Sequence, residues 1–99
     1  MQYTSTRDKS IRVTASQAIA QGISTEGGLF VPCEIPQFSL DKINSMVSMS
    51  YIERAKTVLR EYLTDFTDEE LDYCVSGAYA KGKFSSEKIA PTVNIDGNV

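Results

Sequence analysis

A small α+β domain, in which a few short strands pack against three or four helices, is the fold this sequence predicts. Three observations carry the prediction. Capping boxes recur at Thr14/Gln17, Ser50/Glu53 and Thr67/Glu70, each followed by apolar residues at helical spacing. Two β-favouring runs, Tyr3 to Arg7 and Leu29-Phe30-Val31, are bounded by turn residues. The chain has 99 residues, enough for one modest core and too few for two.

The elements follow in order. Tyr3, Ser5 and Arg7 alternate with Thr4 and Thr6 as an opening strand, and Asp8-Lys9-Ser10 is its turn. Ile11-Arg12-Val13 resumes an extended course until Thr14 caps a helix over 15–21. Gly22 stands where a left-handed residue closes that helix, a conformation that costs a glycine nothing. Gly27-Gly28 makes a tight reversal into Leu29-Phe30-Val31, read as a buried strand, and Pro32 and Pro36 then force an extended loop from Cys33 to Phe38. Ser39 caps a short helix over 40–47 with Leu40, Ile43, Met46 and Val47 on one face. A longer helix over 51–65 carries Tyr51, Ile52, Ala55, Val58, Leu59, Tyr62 and Leu63 inward and a polar face with a Glu53/Lys56 pair. The last helix, over 68–81, is read with Leu71, Cys74, Val75, Ala78 and Tyr79 buried, acids in its first turn and Lys81-Gly82-Lys83 at its end.

From Phe84 the pattern changes. Ser85 to Lys88 is loop-like, Thr92 to Ile95 alternates like a strand, and Asp96-Gly97 is a hairpin-turn signal. A strand that lacks its return partner leaves backbone groups unpaired, so the tail reads as the truncated start of a following domain. The boundaries are 1–83 for the first domain and 84–99 for that start.

Composition removes several function classes. Ten Lys and Arg are scattered among thirteen acids, for a net charge of -3, so no basic surface tracks nucleic acid. No apolar run approaches the roughly 20 residues of a membrane span, and the first residues lack the apolar core of an export signal, so a cytoplasmic location is expected. Cys33 and Cys74 stand far apart with no CxxC, which supports two reduced thiols and no metal site. Histidine is absent, removing the usual proton shuttle near neutral pH and the base of Ser/His or Cys/His pairs.

Three further patterns weigh against chemistry. The Gly22 to Gly28 stretch has neither GK[ST] nor GxGxxG, and Glu26 would put negative charge in an anion cradle, which favours a structural turn. Ser45 falls inside a helix rather than at an exposed helix start, where a serine carrying a prosthetic arm would stand. Asp68, Glu69, Glu70 and Asp72 could do acid-base work, but three of them are what a helix's first turn calls for.

Taken together, Tyr3-Thr4-Ser5-Thr6-Arg7, the helix end Ala20-Gln21-Gly22-Ile23, Glu26 to Pro32, Ile35-Pro36-Gln37-Phe38-Ser39-Leu40 and Ala55-Lys56-Thr57-Val58-Leu59 closely resemble the N-terminal region of the threonine synthase family. The resemblance spans Tyr3 to Gly82 and is most specific from Gly27 to Leu40. It implies the small N-terminal domain of a pyridoxal-phosphate enzyme related to the tryptophan synthase β-subunit group, which converts O-phospho-L-homoserine and water to L-threonine and phosphate. The family's Schiff-base lysine lies in a Phe-Lys-Asp motif that follows a His-Gly-Pro-Thr motif. Neither occurs here, since Phe84 precedes Ser85 and there is no histidine. The resemblance therefore implies an inactive fragment that binds no pyridoxal phosphate itself, whose partner is the catalytic domain of the same chain. No residue here is assigned as catalytic, cofactor-binding or metal-binding. Thr4, Ser5, Thr6 and Arg7 are the candidates for proximity to substrate, as an exposed hydroxyl-rich strand end beside an arginine. The alternative class is a non-catalytic helical interaction module whose apolar stripes serve a partner.

Overall fold

The computed structural model describes residues 1–99. Its elements are β1 (Tyr3–Ser5), α1 (Ala15–Gln21), β2 (Phe30–Pro32), α2 (Leu40–Ser45), α3 (Tyr51–Tyr62) and α4 (Asp68–Ala78). This is the small α+β domain the sequence predicts. All three capping boxes form, with the Thr14, Ser50 and Thr67 hydroxyls each accepting from the N3 backbone N–H. The helix starts are thus fixed by local chemistry.

The strands β1 and β2 pair antiparallel, with Tyr3 opposite Pro32, Thr4 opposite Val31 and Ser5 opposite Phe30. Pro32 stands inside the strand that it was expected to stop. Cys33 N–H donates to Gln2 and Thr6 N–H to Leu29, so the ladder bonds fall at alternate positions and Pro32 faces Tyr3 at a site that needs no donor. On its other side Tyr3 exchanges both backbone hydrogen bonds with Val13, at 2.9 and 3.0 Å. Strand β1 is therefore the middle of a three-deep ribbon. Ile23 and Leu29 bridge across the reversal that contains Gly27, whose φ of +85° is the conformation glycine was expected to supply.

One cross-link joins this ribbon to α3, and a second joins α1 to the loop that follows α3. The Tyr3 hydroxyl donates to the Tyr62 carbonyl at 2.9 Å, and Asp65 accepts from the N–H (3.0 Å) and the hydroxyl of Ser16 in the first turn of α1. Burial of Tyr3, reinforced by the Asp65 and Tyr62 charges, pushes its phenol pKa upward, so the donor stays protonated. Partial burial pulls Asp65 up, but the bonds from Ser16 outweigh it and hold the carboxyl below its ordinary value.

The core is thin. The buried apolar side chains are Ala15, Ala18, Leu71 and Val75. The 29–31 segment was expected to be buried; the strand is instead Phe30–Pro32, half-buried, and Leu29 is exposed. A strand of three residues paired on a single ladder buries little by itself. Helices α2, α3 and α4 end at Ser45, Tyr62 and Ala78, short of the expected 47, 65 and 81. The residues after each cap turn back through i→i+3 bonds, from Met49 to Met46, Phe66 to Leu63 and Lys83 to Ala80. Cys74, read as buried, is exposed on α4 beside exposed Tyr73. Lys56 pairs at 3.1 Å with Asp72 of α4 rather than with Glu53, whose carboxylate is engaged by the Ser50 N–H.

Residues 92–95, expected to be a strand, are exposed and form none, with only Ile95 bridging, to Asn98. The Asp96-Gly97 turn does form. Both residues take positive φ (49° and 82°), and Ile95 and Asn98 exchange two backbone bonds around them. The turn needs only local chemistry, whereas the strand needs a partner.

Candidate functional site

The four residues nominated from sequence meet the Gly27-Gly28 reversal at one corner. Ribbon pairing brings β1 alongside the chain leaving that reversal, so Ser5 and Arg7 face Glu26 although about 20 residues separate them. The Ser5 hydroxyl donates to Glu26 Oε1 and the Ser24 hydroxyl to Oε2, at 2.7 Å for the latter. Arg7 N–H donates to Ser5 Oγ at 3.2 Å, and Arg7 Nη1 donates to the Glu26 carbonyl at 3.1 Å. Thr6 Oγ1 accepts from Leu29 N–H at 2.9 Å.

This corrects the exposed hydroxyl-rich edge. Thr4 and Ser5 are buried, Ser5 completely, and only Thr6 and Arg7 reach solvent. The reason is the ribbon. Thr4 lies over the 8–12 turn, donating to the Asp8 carbonyl and accepting from Arg12, both at 3.3 Å, while Ser5 is covered by the Glu26 side chain. A buried hydroxyl with no partner would cost about 1–3 kcal/mol, and every buried side-chain polar atom here has a partner.

Gly28 makes the closeness possible. A Cβ there would overlap Ser5 Oγ and lie 2.8 Å from Glu26 Oε1 and 3.0 Å from the Arg7 nitrogen. The sequence identifies the glycine pair as a turn. It carries no sign that the second glycine is needed for clearance, because the nearest clashing atom, Ser5 Oγ, comes from β1 and the Arg7 nitrogen from the chain just after it. Ser24 was passed over and Glu26 was read only as a charge unfavourable to an anion cradle; the signal for the pair was an acid flanked by hydroxyl residues in a glycine turn.

Electrostatically the corner is self-contained. The hydroxyls of Ser5 and Ser24 hold the Glu26 carboxyl below its ordinary pKa. The Glu26 carboxylate accepts from the Ser5 and Ser24 hydroxyls beside the reversal, which places negative charge where an anion would have to approach. The other candidates are also accounted for. Glu70 caps α4 through Thr67 N–H, Asp68 pairs with Arg60 and Asp72 with Lys56. The Ser45 hydroxyl donates to the Lys42 carbonyl within α2. No group of three or more His, Cys, Asp or Glu residues is placed to hold a metal ion.

A cleft of about 550 Å³ opens between α3 and the 80–89 segment, walled by Tyr51, Tyr79, Phe84 and Ile89. Tyr79 stacks on Phe84 with centroids 5.7 Å apart and meets Tyr51 edge-on at 5.1 Å. Lys81, Ser85, Ser86 and Glu87 also line it.

A family model described as "Threonine synthase N terminus" matches residues 2–79. The threonine synthase of Methylobacillus glycogenes is 32% identical over 97% of this chain, and that of Pseudomonas aeruginosa 30% identical over 99%. The crystal structure of PLP-bound threonine synthase from Brucella melitensis superposes with a TM-score of 0.83 and 32% identity over 95% of this chain. The chain spans about a fifth of each of these proteins: 22%, 21% and 20%. These 99 residues belong to the threonine synthase N-terminal family.

Proposed function

We propose that this chain is the N-terminal domain of an enzyme that converts O-phospho-L-homoserine and water to L-threonine and phosphate with pyridoxal phosphate, working in the cytoplasm. The family match over residues 2–79 carries the reading, supported by the TM-score of 0.83 against a threonine synthase described as PLP-bound. The residues of this chain do not fit the cofactor. Its aldehyde needs a lysine amine inside a closed pocket, whereas Lys42 and Lys56 are engaged by Glu61 and Asp72 and Lys9, Lys81, Lys83 and Lys88 stand at the surface. The cofactor is therefore held by residues outside these 99. A borohydride-reducible cofactor absorption on the 99-residue chain would overturn that statement.

Within the whole enzyme, residues 1–83 form the N-terminal domain and 84–99 lead into the catalytic domain, its partner. Thr6 and Arg7 are the part of the nominated edge that can meet that domain or the phosphorylated substrate. Thr4 and Ser5 hold the edge from inside. Phosphate release from O-phospho-L-homoserine by the complete polypeptide tests the activity, and none from a folded, cofactor-loaded protein rejects it. Substituting Arg7→Ala in that enzyme and finding KM and kcat unchanged removes Arg7 from the proposal. The competing reading, a helical interaction module, requires a coding sequence that does not continue into His-Gly-Pro-Thr and Phe-Lys-Asp.

A further inference from the structure

Of the four arginines in the chain, three are spent inside the domain. Arg12 Nη1 donates to Thr4, Lys9 and Ile11, Arg54 donates to the carbonyls of Met46 and Val47, and Arg60 pairs with Asp68. Arg7 is held differently. Its backbone N–H donates to Ser5 Oγ at 3.2 Å and its guanidinium makes one bond, from Nη1 to the Glu26 carbonyl at 3.1 Å, while the side chain stays exposed and enters no ion pair. The carboxylates close to it in the chain are engaged elsewhere. Glu26 accepts from the hydroxyls of Ser5, Ser24 and Thr25, and Asp8 from the N–H and hydroxyl of Ser10. Thr6 Oγ1 accepts from Leu29 N–H, so its own proton has no acceptor within the chain. The exposed side of the corner thus carries unused donors and a positive charge that no direct pair cancels.

Gly27 is the seat of that charge. A Cβ there would lie 2.7 Å from Arg7 Nη1 and 3.6 Å from Cζ, so the guanidinium rests against the bare Cα of the turn. The φ of +85° already favours glycine at this position, and clearance under Arg7 is a second, separate demand.

We propose that Arg7, with the Thr6 hydroxyl beside it, takes the phosphate group of the substrate and that Gly27 is its positioning residue, an inference that deepens the function proposed above and rests on it. The planar fork of a guanidinium matches two phosphate oxygens, and the neighbouring hydroxyl supplies a third donor. An arginine already held at its backbone and at Nη1 gives up less rotamer freedom on binding.

The test uses the complete, cofactor-loaded enzyme, read by threonine formation from O-phospho-L-homoserine with inorganic phosphate as added competitor. Arg7→Ala should raise both KM and the phosphate inhibition constant by about tenfold or more and change kcat by less than about threefold, with partial recovery in Arg7→Lys. Gly27→Ala should raise the same two constants, yet add less than about twofold on top of Arg7→Ala, because it acts through that side chain. Gly27→Asn, whose residue tolerates positive φ, serves where circular dichroism shows that Gly27→Ala does not fold. Phosphate inhibition that is absent, or unaltered by Arg7→Ala, overturns the proposal; a rise in KM alone would assign Arg7 to the carboxylate of the substrate instead. A Gly27 effect undiminished in the Arg7→Ala background overturns the positioning role and leaves Gly27 as a turn residue. A folded, loaded, unsubstituted enzyme that forms no threonine rejects the proposed function and this inference with it, whereas threonine formation with unaltered phosphate inhibition rejects this inference alone.

Discussion

The corner built on Ser5, Ser24, Glu26 and Gly28 and the helix α2 treat hydropathy in opposite ways. At the corner, two serines are buried and aliphatic Leu29 next to them is exposed. On α2, lysine is half-buried while leucine and isoleucine face solvent, as does Val47 just after it. The contrast shows that burial in this domain follows hydrogen-bond partnership more than residue type. Only four apolar side chains are buried, and the corner is closed by hydroxyl-carboxylate bonds. Such bonds contribute about 0.5–1.5 kcal/mol each, or about 1.5–3 when one partner is charged.

The largest expected effect that breaks this comparison is Gly28→Ala. Its Cβ has nowhere to go without moving Ser5 or the Arg7 backbone, and overpacking of this kind costs about 1–3 kcal/mol. Hydrogen exchange of the Thr4, Thr6 and Val31 amides should accelerate accordingly; unchanged protection would mean that the corner relaxes freely.

Next comes a pair that sets the two regions against each other. Ser5→Ala, which makes a buried position more apolar, should cost about 1–2 kcal/mol in the same exchange experiment, because Glu26 and Arg7 N–H each lose a partner. Leu40→Ser, which makes an exposed position more polar, should change corner protection by less than about 0.5 kcal/mol. A reversed order would show that residue type decides after all.

The pH dependence sharpens the point. Glu26 and Asp65 have folded pKa values below their ordinary 4.5 and 3.8, so each contributes stability that is fully present above those values and lost as pH falls through them to the folded pKa. Corner protection should therefore be flat near neutrality and decline below about pH 4.5, and Glu26→Gln should flatten that decline. A decline unaltered by the substitution would assign it to other carboxylates.

The smallest effect is expected from Lys56→Met, which removes the 3.1 Å pair to Asp72 between α3 and α4. With Asp72 half exposed, the loss should be about 0.2–1 kcal/mol in a denaturant titration. A larger loss would mean that the helical pair, too, is held together by polar contacts.

Helix starts, the α1 span, the Gly22 and Gly27 conformations and the Asp96-Gly97 turn were legible because each depends on residues within four positions of one another. The candidate edge was half legible. The alternation of Tyr3 to Arg7 identifies a strand, but which of its hydroxyls would be covered depended on Glu26, which only strand pairing brings near. Cys74 was misread for the same reason, since helical periodicity says which residues share a face and is silent on which way that face turns.

The sequence by itself determined the local elements and, through Glu26 to Leu40, the family, because capping, turn chemistry and motif order are written in neighbouring residues. The tertiary structure alone decided that Ser5 is buried against Glu26, that Gly28 must lack a side chain and that α2 presents its aliphatic stripe to the outside. Those outcomes rest on contacts between segments roughly 20 residues apart, whose partners are selected by ribbon register and by the few polar staples that fix each helix's rotation.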